Sequence, residues 1–296
     1  MATLQNLFTF TFVVSSMFGM GLALTVAQIL EPLRSLRLVA LTLVANFVIV
    51  PATAVVLSRV IPLDEQLQIG LILFGCAAGA PFLPKLAQIA KANVAFAVGV
   101  MALEIVVTVA YLPIVLPLLL PGVTVDAPKM AVTLFGEMLV PLAIGLAVRQ
   151  RFAAPAADLA RPTAQVSTFS LVLLMVLMLG LNISSVLGLI GSGGIIAMLG
   201  LIAVALVAGY VLGGPAPATR IVLALGTGQR NLAGAFLVAT ASFSQQPNVL
   251  VFLAAAGLVG MVILFPLSAE LGKRARPAIA SVAAEPIANP VVETAG

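Results

Sequence analysis

Two basic residues stand in apolar surroundings that offer a charge no obvious partner. Lys85 lies in GCAAGAPFLPKLAQIAKAN, residues 75–93, and Arg230 lies in GTGQRNLAGAFLVA, residues 226–239. A tethered ammonium or guanidinium can bind a carboxylate or sulfonate, neutralise a buried acid, or take the electrostatic place of a bound inorganic cation. The neighbouring polar groups suit the same chemistry: the amides of Asn46, Gln229 and Asn231, the hydroxyl of Thr227, and the carboxylates Glu104 and Glu137. Either acid can neutralise Lys85 or Arg230 or exchange protons, and the sequence fits both roles equally. Catalysis is not expected, because no histidine, HExxH pattern or nucleophile–base constellation is present. The single cysteine, Cys76, and the lack of histidine exclude a disulfide framework and a His/Cys metal cluster within the chain. Cys76 reads as a small packing residue.

The elements that must hold these groups are membrane helices. Of the 296 residues, 62% are hydrophobic and 8% charged, with a mean hydropathy of +1.23, whereas about a quarter of the residues in a globular domain are charged. The apolar runs are long and rich in Leu, Val, Ala and Gly. That suits helices crossing about 30 Å of hydrocarbon rather than the shorter alternating strands of a barrel. The expected fold class is therefore all-α, a polytopic membrane protein with about nine transmembrane helices. They are placed at 4–28, 35–60, 67–91, 93–120, 129–150, 163–187, 193–213, 218–242 and 248–271.

Charge fixes an orientation, because cytoplasmic loops carry the excess of Lys and Arg. With the N-terminus outside, ten basic residues fall on the inner side: Arg34, Arg37, Lys91, Arg149, Arg151, Arg161, Arg220, Lys273, Arg274 and Arg276. Only Arg59 and Lys129 fall outside. The C-terminus is then cytoplasmic, and a bacterial inner membrane is the expected location. The net charge of +4 is spread in ones and twos, which fits a lipid bilayer as the environment and argues against nucleic acid as a partner. The chain opens without a basic region or a small-residue cleavage site, so its first span is expected to be a retained helix. The Pro- and Ala-rich end, residues 277–296, is expected to be an unstructured cytoplasmic tail.

Two spans are interrupted. In the third, Gly79 can end one half-helix and Pro81 or Pro84 can start the next, since proline suits a first helical turn. In the eighth, Gly226 and Gly228 permit a left-handed backbone, and Asn231 can cap the following helix. The two breaks share a depth and lie in oppositely oriented spans. That is the pattern of an inverted-repeat transporter whose binding site forms where two broken helices cross. A Lys or Arg at the bilayer centre costs about 2.5 to 3.5 kcal/mol on insertion scales, so both cations are functional candidates.

Over FGMGLAL (18–24), NFVIVPATAVVLSRVI (46–61), GCAAGAPFLPKLAQIAKANVAFAVGV (75–100) and GTGQRNLAGAFLVA (226–239), the chain resembles the bile acid:sodium symporter superfamily. The resemblance implies ten helices in two inverted five-helix repeats, divided into a core and a panel; this chain looks as if it lacks the first helix. Residues 1–276 would then form one transmembrane transporter unit with core and panel helices interleaved. The resemblance also implies an organic anion as the small-molecule substrate, steroid-like or a small carboxylate, and sodium as the coupling ion.

The sodium pattern is altered. Sodium-coupled members typically have a Ser-Asn pair just after the first break, where this chain has Leu83 and Pro84. The Ser and Thr ligands of the next helix correspond to Ala97 and Met101, and the Glu opening the second motif corresponds to Gly226. The usual GMQN reads GQRN here, Gly228 to Asn231, and the family's Gln on the second helix corresponds to Asn46. Sodium is the ion the family implies, and no other cofactor is expected. Lys85 and Arg230, however, are placed to replace the ions, with the carbonyl oxygens at the half-helix C-termini favouring a cation there. The expectation is a secondary transporter of organic anions without the usual sodium coupling. The competing expectation is a non-transporting sensor or degenerate paralogue in which the cations close the old sites through salt bridges.

Overall fold

The computed structural model describes residues 2–30, 35–120, 126–181 and 183–283. These are helical, with no strand among them. The chain begins with α1 (Ala2–Ala23) and the short α2 (Val26–Leu30). A long helix follows, divided by a π-helical turn at Ala45–Ile49 into α3 (Leu36–Val44) and α4 (Val50–Val60). The first broken pair is α5 (Glu65–Cys76) and α6 (Leu83–Ile89), followed by α7 (Val94–Leu119). A second π-helical turn, Phe135–Leu139, separates α8 (Ala127–Leu134) from α9 (Val140–Arg151). Then come α10 (Ala153–Leu181), α11 (Ile183–Gly191), α12 (Gly194–Leu212), the second broken pair α13 (Pro217–Gly228) and α14 (Leu232–Ser242), and α15 (Pro247–Ala283).

Local sequence sets the helix starts. Asp64, Asn93, Asp126 and Asn231 each accept a hydrogen bond from the amide three residues on, which satisfies a donor that the first turn would otherwise leave unpaired. Pro84, Pro128 and Pro217 stand in first turns, where no amide is needed. Among the described residues, eight stretches are long and apolar enough to cross a membrane. The ninth expected span is the pair α5 and α6, which fails as one helix because the chain unwinds between Cys76 and Leu83.

Two boundaries depart from expectation. The sixth span begins at Ala153, ten residues before the 163 expected, and ends at Leu181 before 187. Residues 153–164 are rich in alanine, the strongest helix former, and helix carries through the segment that holds Arg161. The same preference explains why α15 runs to Ala283 through part of the segment expected to be unstructured; the remainder, 284–296, lies outside the described residues.

Glycine sets the closest packing. A Cβ on Gly21 of α1 would lie 2.3 Å from the Leu142 carbonyl oxygen, and one on Gly145 of α9 would lie 2.4 Å from the Phe18 oxygen. α1 and α9 therefore touch backbone to backbone, with α10 packed on the same α1. Gly209 of α12 and Gly213 at its C-terminal cap do the same against α13, where added Cβ atoms would meet the Leu223 oxygen and the Arg220 Cα. Small residues at such crossings allow the dispersion contacts that hold helices together in lipid. Large apolar side chains such as Leu118, Val132 and Phe169 are turned outward; they belong against acyl chains.

Gly145→Val should therefore destabilise the detergent-solubilised protein by about 2 kcal/mol or more through overpacking. Gly180→Ala, where an added Cβ meets nothing within 4 Å, should leave the thermal unfolding midpoint unchanged or raise it.

Candidate ion and substrate site

The two breaks meet. α5 ends at Cys76 and α13 at Gly228, and the Asn231 amide donates to the Ala77 carbonyl at 2.9 Å, joining one unwound strand to the other. From α7, Thr108 clamps the first break: its hydroxyl donates to the Ala78 oxygen at 3.0 Å and accepts from the Ala78 amide at 3.2 Å. Gly79 has a φ of +83°, and a Cβ there would lie 2.6 Å from the Ile105 amide nitrogen. Both the left-handed backbone and the approach to α7 require glycine. Pro84 starts α6, and Pro81 lies in the linker. Gly226 and Gly228 are not in left-handed turns, contrary to expectation, but within α13. Their role is contact, since Cβ atoms there would meet Leu83 and Leu206 at 2.8 Å. The break falls instead at Gln229 and Arg230, with Gln229 extended, before the Asn231 cap.

Arg230 fills the space between the two helix ends and is only 4% exposed. Its Nε donates to the Phe74 carbonyl at 3.2 Å, and one terminal nitrogen donates to the Gly75 carbonyl and, at 3.5 Å, to the Asn46 backbone oxygen. The other terminal nitrogen donates to Asn46 Oδ1 at 2.8 Å and to the Thr227 carbonyl at 3.2 Å. Phe74 and Gly75 belong to the last turn of α5 and Thr227 to that of α13, so these carbonyls lack helical donors of their own and carry the negative ends of two helix dipoles. All five N–H groups of the guanidinium are engaged.

Asn46 links this cation to an acid. Its Nδ2 donates to Glu104 Oε1 at 2.7 Å, to the Thr227 hydroxyl at 3.2 Å and to the Thr42 carbonyl at 3.2 Å. Asn46, Thr227 and Glu104 are all fully buried. Asn46 lies in the π-helical turn that precedes Pro51. Proline cannot donate to the Phe47 carbonyl four residues back, and the Tyr111 hydroxyl does so instead at 2.7 Å. Glu104 Oε2, Gln229 Oε1 and Asn231 Nδ2 are buried without a partner. Among the described residues the one ion pair within 4 Å is Arg274–Glu270. Glu104 therefore reaches Arg230 through Asn46 rather than by a salt bridge. Glu137 lies half-buried in the second π-helical turn, outside the network.

Lys85 is elsewhere. It is exposed on α6, with Nζ donating to Gln88 Oε1 at 3.2 Å, and it lines a cavity of about 290 Å³ between α6 and the pair α1 and α10. Ser16, Ser167 and Thr168 contribute hydroxyls to this cavity, Met20 and Met101 apolar surface. Pro81 and Phe82 also line a second, narrow cavity with about 20 Å³ of free room, where Gln229 and Arg230 face Phe74, Leu86 and Phe265. The expected site residues thus fall into three places: Asn46, Thr227 and Arg230 in the buried network, Gln229 on the narrow cavity, and Lys85 on the large one. Asn231 serves as cap and crossover tie.

Over residues 10–189 the sequence matches the pattern of the Sodium Bile acid symporter family. The chain belongs to this family. Its members and named relatives are transporters, not enzymes. The chain is 28% identical over 141 residues to an uncharacterized sodium-dependent transporter of Bacillus subtilis (strain 168), covering 46% of this chain and 43% of that protein. It is 29% identical over 172 residues to a probable sodium/metabolite cotransporter, BASS3, of Arabidopsis thaliana chloroplasts, covering 56% and 39%. The corresponding figures for the probable cotransporter BASS2 of Oryza sativa subsp. japonica are 28% over 137 residues, 46% and 33%. The chain therefore spans less than half the length of these relatives. The family match includes α5 and α6 and stops before α13, the helix that leads to Arg230.

Against the family's sodium chemistry, the donor set does not fit a resident sodium ion at this crossover. Leu83, Pro84, Ala97, Met101 and Gly226 offer no side-chain oxygen, and the converging carbonyls are already bound by a guanidinium. Sequence reading missed Thr108 and Tyr111, since a lone hydroxyl in an apolar span carries no spacing signal; the proline in VPATA was the one available hint that a carbonyl nearby would need a donor. Tyr111→Phe should leave the Phe47 carbonyl unpaired and cost about 1 to 3 kcal/mol, read as a lowered thermal midpoint in detergent.

Proposed function

We propose that this chain is a secondary transporter of organic anions that works by alternating access and carries its own cation. The observation behind the reading is the guanidinium of Arg230, hydrogen-bonded to carbonyls at the C-terminal ends of both broken helices and balanced by Glu104 through Asn46. A mobile ion at this place would link the two broken helices only when bound. Arg230 links them permanently, so the transporting element can change state without loading an ion from either side, and a sodium gradient supplies no drive. Because all the guanidinium donors are engaged, the anion is met by Lys85 in the large cavity between α6 and the pair α1 and α10. Rocking of the broken-helix group against that pair would open the cavity to each side in turn, in a bacterial inner membrane with the N-terminus outside.

Proteoliposomes loaded with and without sodium test this with radiolabelled taurocholate and pyruvate, one steroid-like anion and one small carboxylate. Uptake should be the same when sodium is replaced by N-methylglucamine; a several-fold stimulation by an inward sodium gradient would sink the proposal. Arg230→Ala should lose about 3 kcal/mol of stability, as expected when buried acceptors are left without their charged donor. It leaves the Phe74, Gly75 and Thr227 carbonyls, Asn46 Oδ1 and Glu104 around a vacated position, so added guanidinium or sodium ion should restore its thermal midpoint while leaving the wild type unaffected.

The saturation of Arg230 also suits a protein that has stopped transporting. Lys85→Met separates the two readings: it should abolish uptake and leave folding intact in a transporter, and change neither ligand response nor folding in a closed paralogue.

A further inference from the structure

The contact between Gly21 and Gly145 presses α1 against α9. Just beyond it α1 ends at Ala23 and the chain turns through Leu24 and Thr25 into α2, while α9 continues to Arg151 and α10 begins at Ala153. A cavity of about 360 Å³ opens among these ends, within the usual size range of small-molecule sites. Neither broken helix contributes to its lining, and Lys85 is not on it.

Wall and charge differ in chemistry. Leu24, Val26 and Leu146 supply apolar surface, and Phe152, in the turn from α9 to α10, is 57% exposed nearby. Arg149 supplies the charge. Its Nη1 donates to the Ala153 carbonyl at 2.9 Å across that turn, which holds the guanidinium at the cavity and leaves its other N–H groups without a partner among the described residues. Gln150 adds an exposed amide. The Thr25 hydroxyl is spent on Gln28, donating to Oε1 at 3.1 Å and accepting from the amide at 3.3 Å. Among the described residues no carboxylate lines the cavity.

A guanidinium with free N–H groups presents a fork that matches the oxygens of a phosphate. A soluble phosphate would leave the apolar wall facing water, whereas a phospholipid brings hydrocarbon to Leu24, Val26 and Leu146. The head group is constrained too. An ammonium head would stand near Arg149 with no acid to receive it, and a head bearing hydroxyls can use the Gln150 amide. With the N-terminus outside, these helix ends lie at the cytoplasmic leaflet, whose surface is negative because of its anionic lipids. We propose that this cavity binds an anionic phospholipid, with the phosphodiester at Arg149, the hydroxyl-bearing head at Gln150 and the glycerol backbone and first methylenes against the apolar wall. A lipid so placed ties the inner ends of α1, α9 and α10 together, and it serves a transporter and a closed paralogue alike.

Thermal unfolding of the full chain in mixed micelles tests this with three probes: dioleoylphosphatidylglycerol, dioleoylphosphatidylcholine and free glycerophosphate. Phosphatidylglycerol should raise the wild-type midpoint saturably, with half of the effect at about fivefold lower concentration than phosphatidylcholine, the share of one basic side chain at an anionic surface. Native mass spectrometry should show it retained on the protein, and glycerophosphate should shift nothing at equal concentration. Arg149→Gln should bring the two lipids level. Arg151→Gln removes the same charge from the same helix end but no part of the cavity lining, and should keep the preference. The inference is overturned if the wild type does not prefer phosphatidylglycerol, a result that depends on no variant's folding, or if the preference survives in Arg149→Gln. Equal loss in the two variants overturns it by reducing the attraction to general charge, and a glycerophosphate shift equal to the lipid's does so by making the site one for a soluble anion.

Discussion

Two helices that stop inside a bilayer, C-terminus to C-terminus, place unpaired carbonyls and the negative ends of two dipoles at one point. Lipid offers these groups nothing, and each would cost several kcal/mol if left unsatisfied. Hydrogen-bond donors must stand there, and the two dipole ends favour a cation among them. In this chain it is the guanidinium of Arg230, which reaches the Phe74 and Gly75 carbonyls on one side and that of Thr227 on the other. Arginine is suited to the task because its planar fork offers five donors in fixed directions and it stays charged in apolar surroundings.

Other features follow from that demand. Glu104 is tied to the buried guanidinium from α7 through the Asn46 amide, which binds both. Asn46 must in turn be held to the crossover, where a π-helical turn carries it and Tyr111 supplies the donor that Pro51 lacks. The unwound strands need their own partners, and Thr108 and the Asn231–Ala77 bond provide them. Glycine contacts then set the closest packing: Gly21 against Gly145 between α1 and α9, and Gly209 and Gly213 against α13. The large cavity lies between α6 and the pair α1 and α10.

Much of this was legible in the sequence, for physical reasons. Spans are visible because hydrocarbon tolerates few charges, and breaks because Pro84 and Gly79 have narrow backbone preferences. Asn231 was readable as a cap, and a cation at the helix C-termini followed from the dipoles. What sequence could not supply was direction. Lys85 and Arg230 both looked like functional cations, Lys85 the weaker of the two because its stem is within reach of the interface. In the structure one side chain is exposed on α6 while the other is enclosed by carbonyls. Gly226 and Gly228 looked like turn residues because glycine serves two purposes, and only the approach of Leu83 and Leu206 shows which applies. Tyr111, Thr108 and the Asn46 bridge depend on residues far apart in the chain, and spacing says nothing about such pairs.

If the crossover's cation is a covalent part of the chain, as proposed, sodium has no place to bind there, and equilibrium binding examines this more directly than transport does. Calorimetric titration of sodium into the purified protein in sodium-free nanodiscs should give no saturable heat and no shift in thermal midpoint, because the carbonyls are already occupied. Saturable, stoichiometric sodium binding to the wild type would contradict the account and return this chain to the ion-coupled mechanism its family name implies.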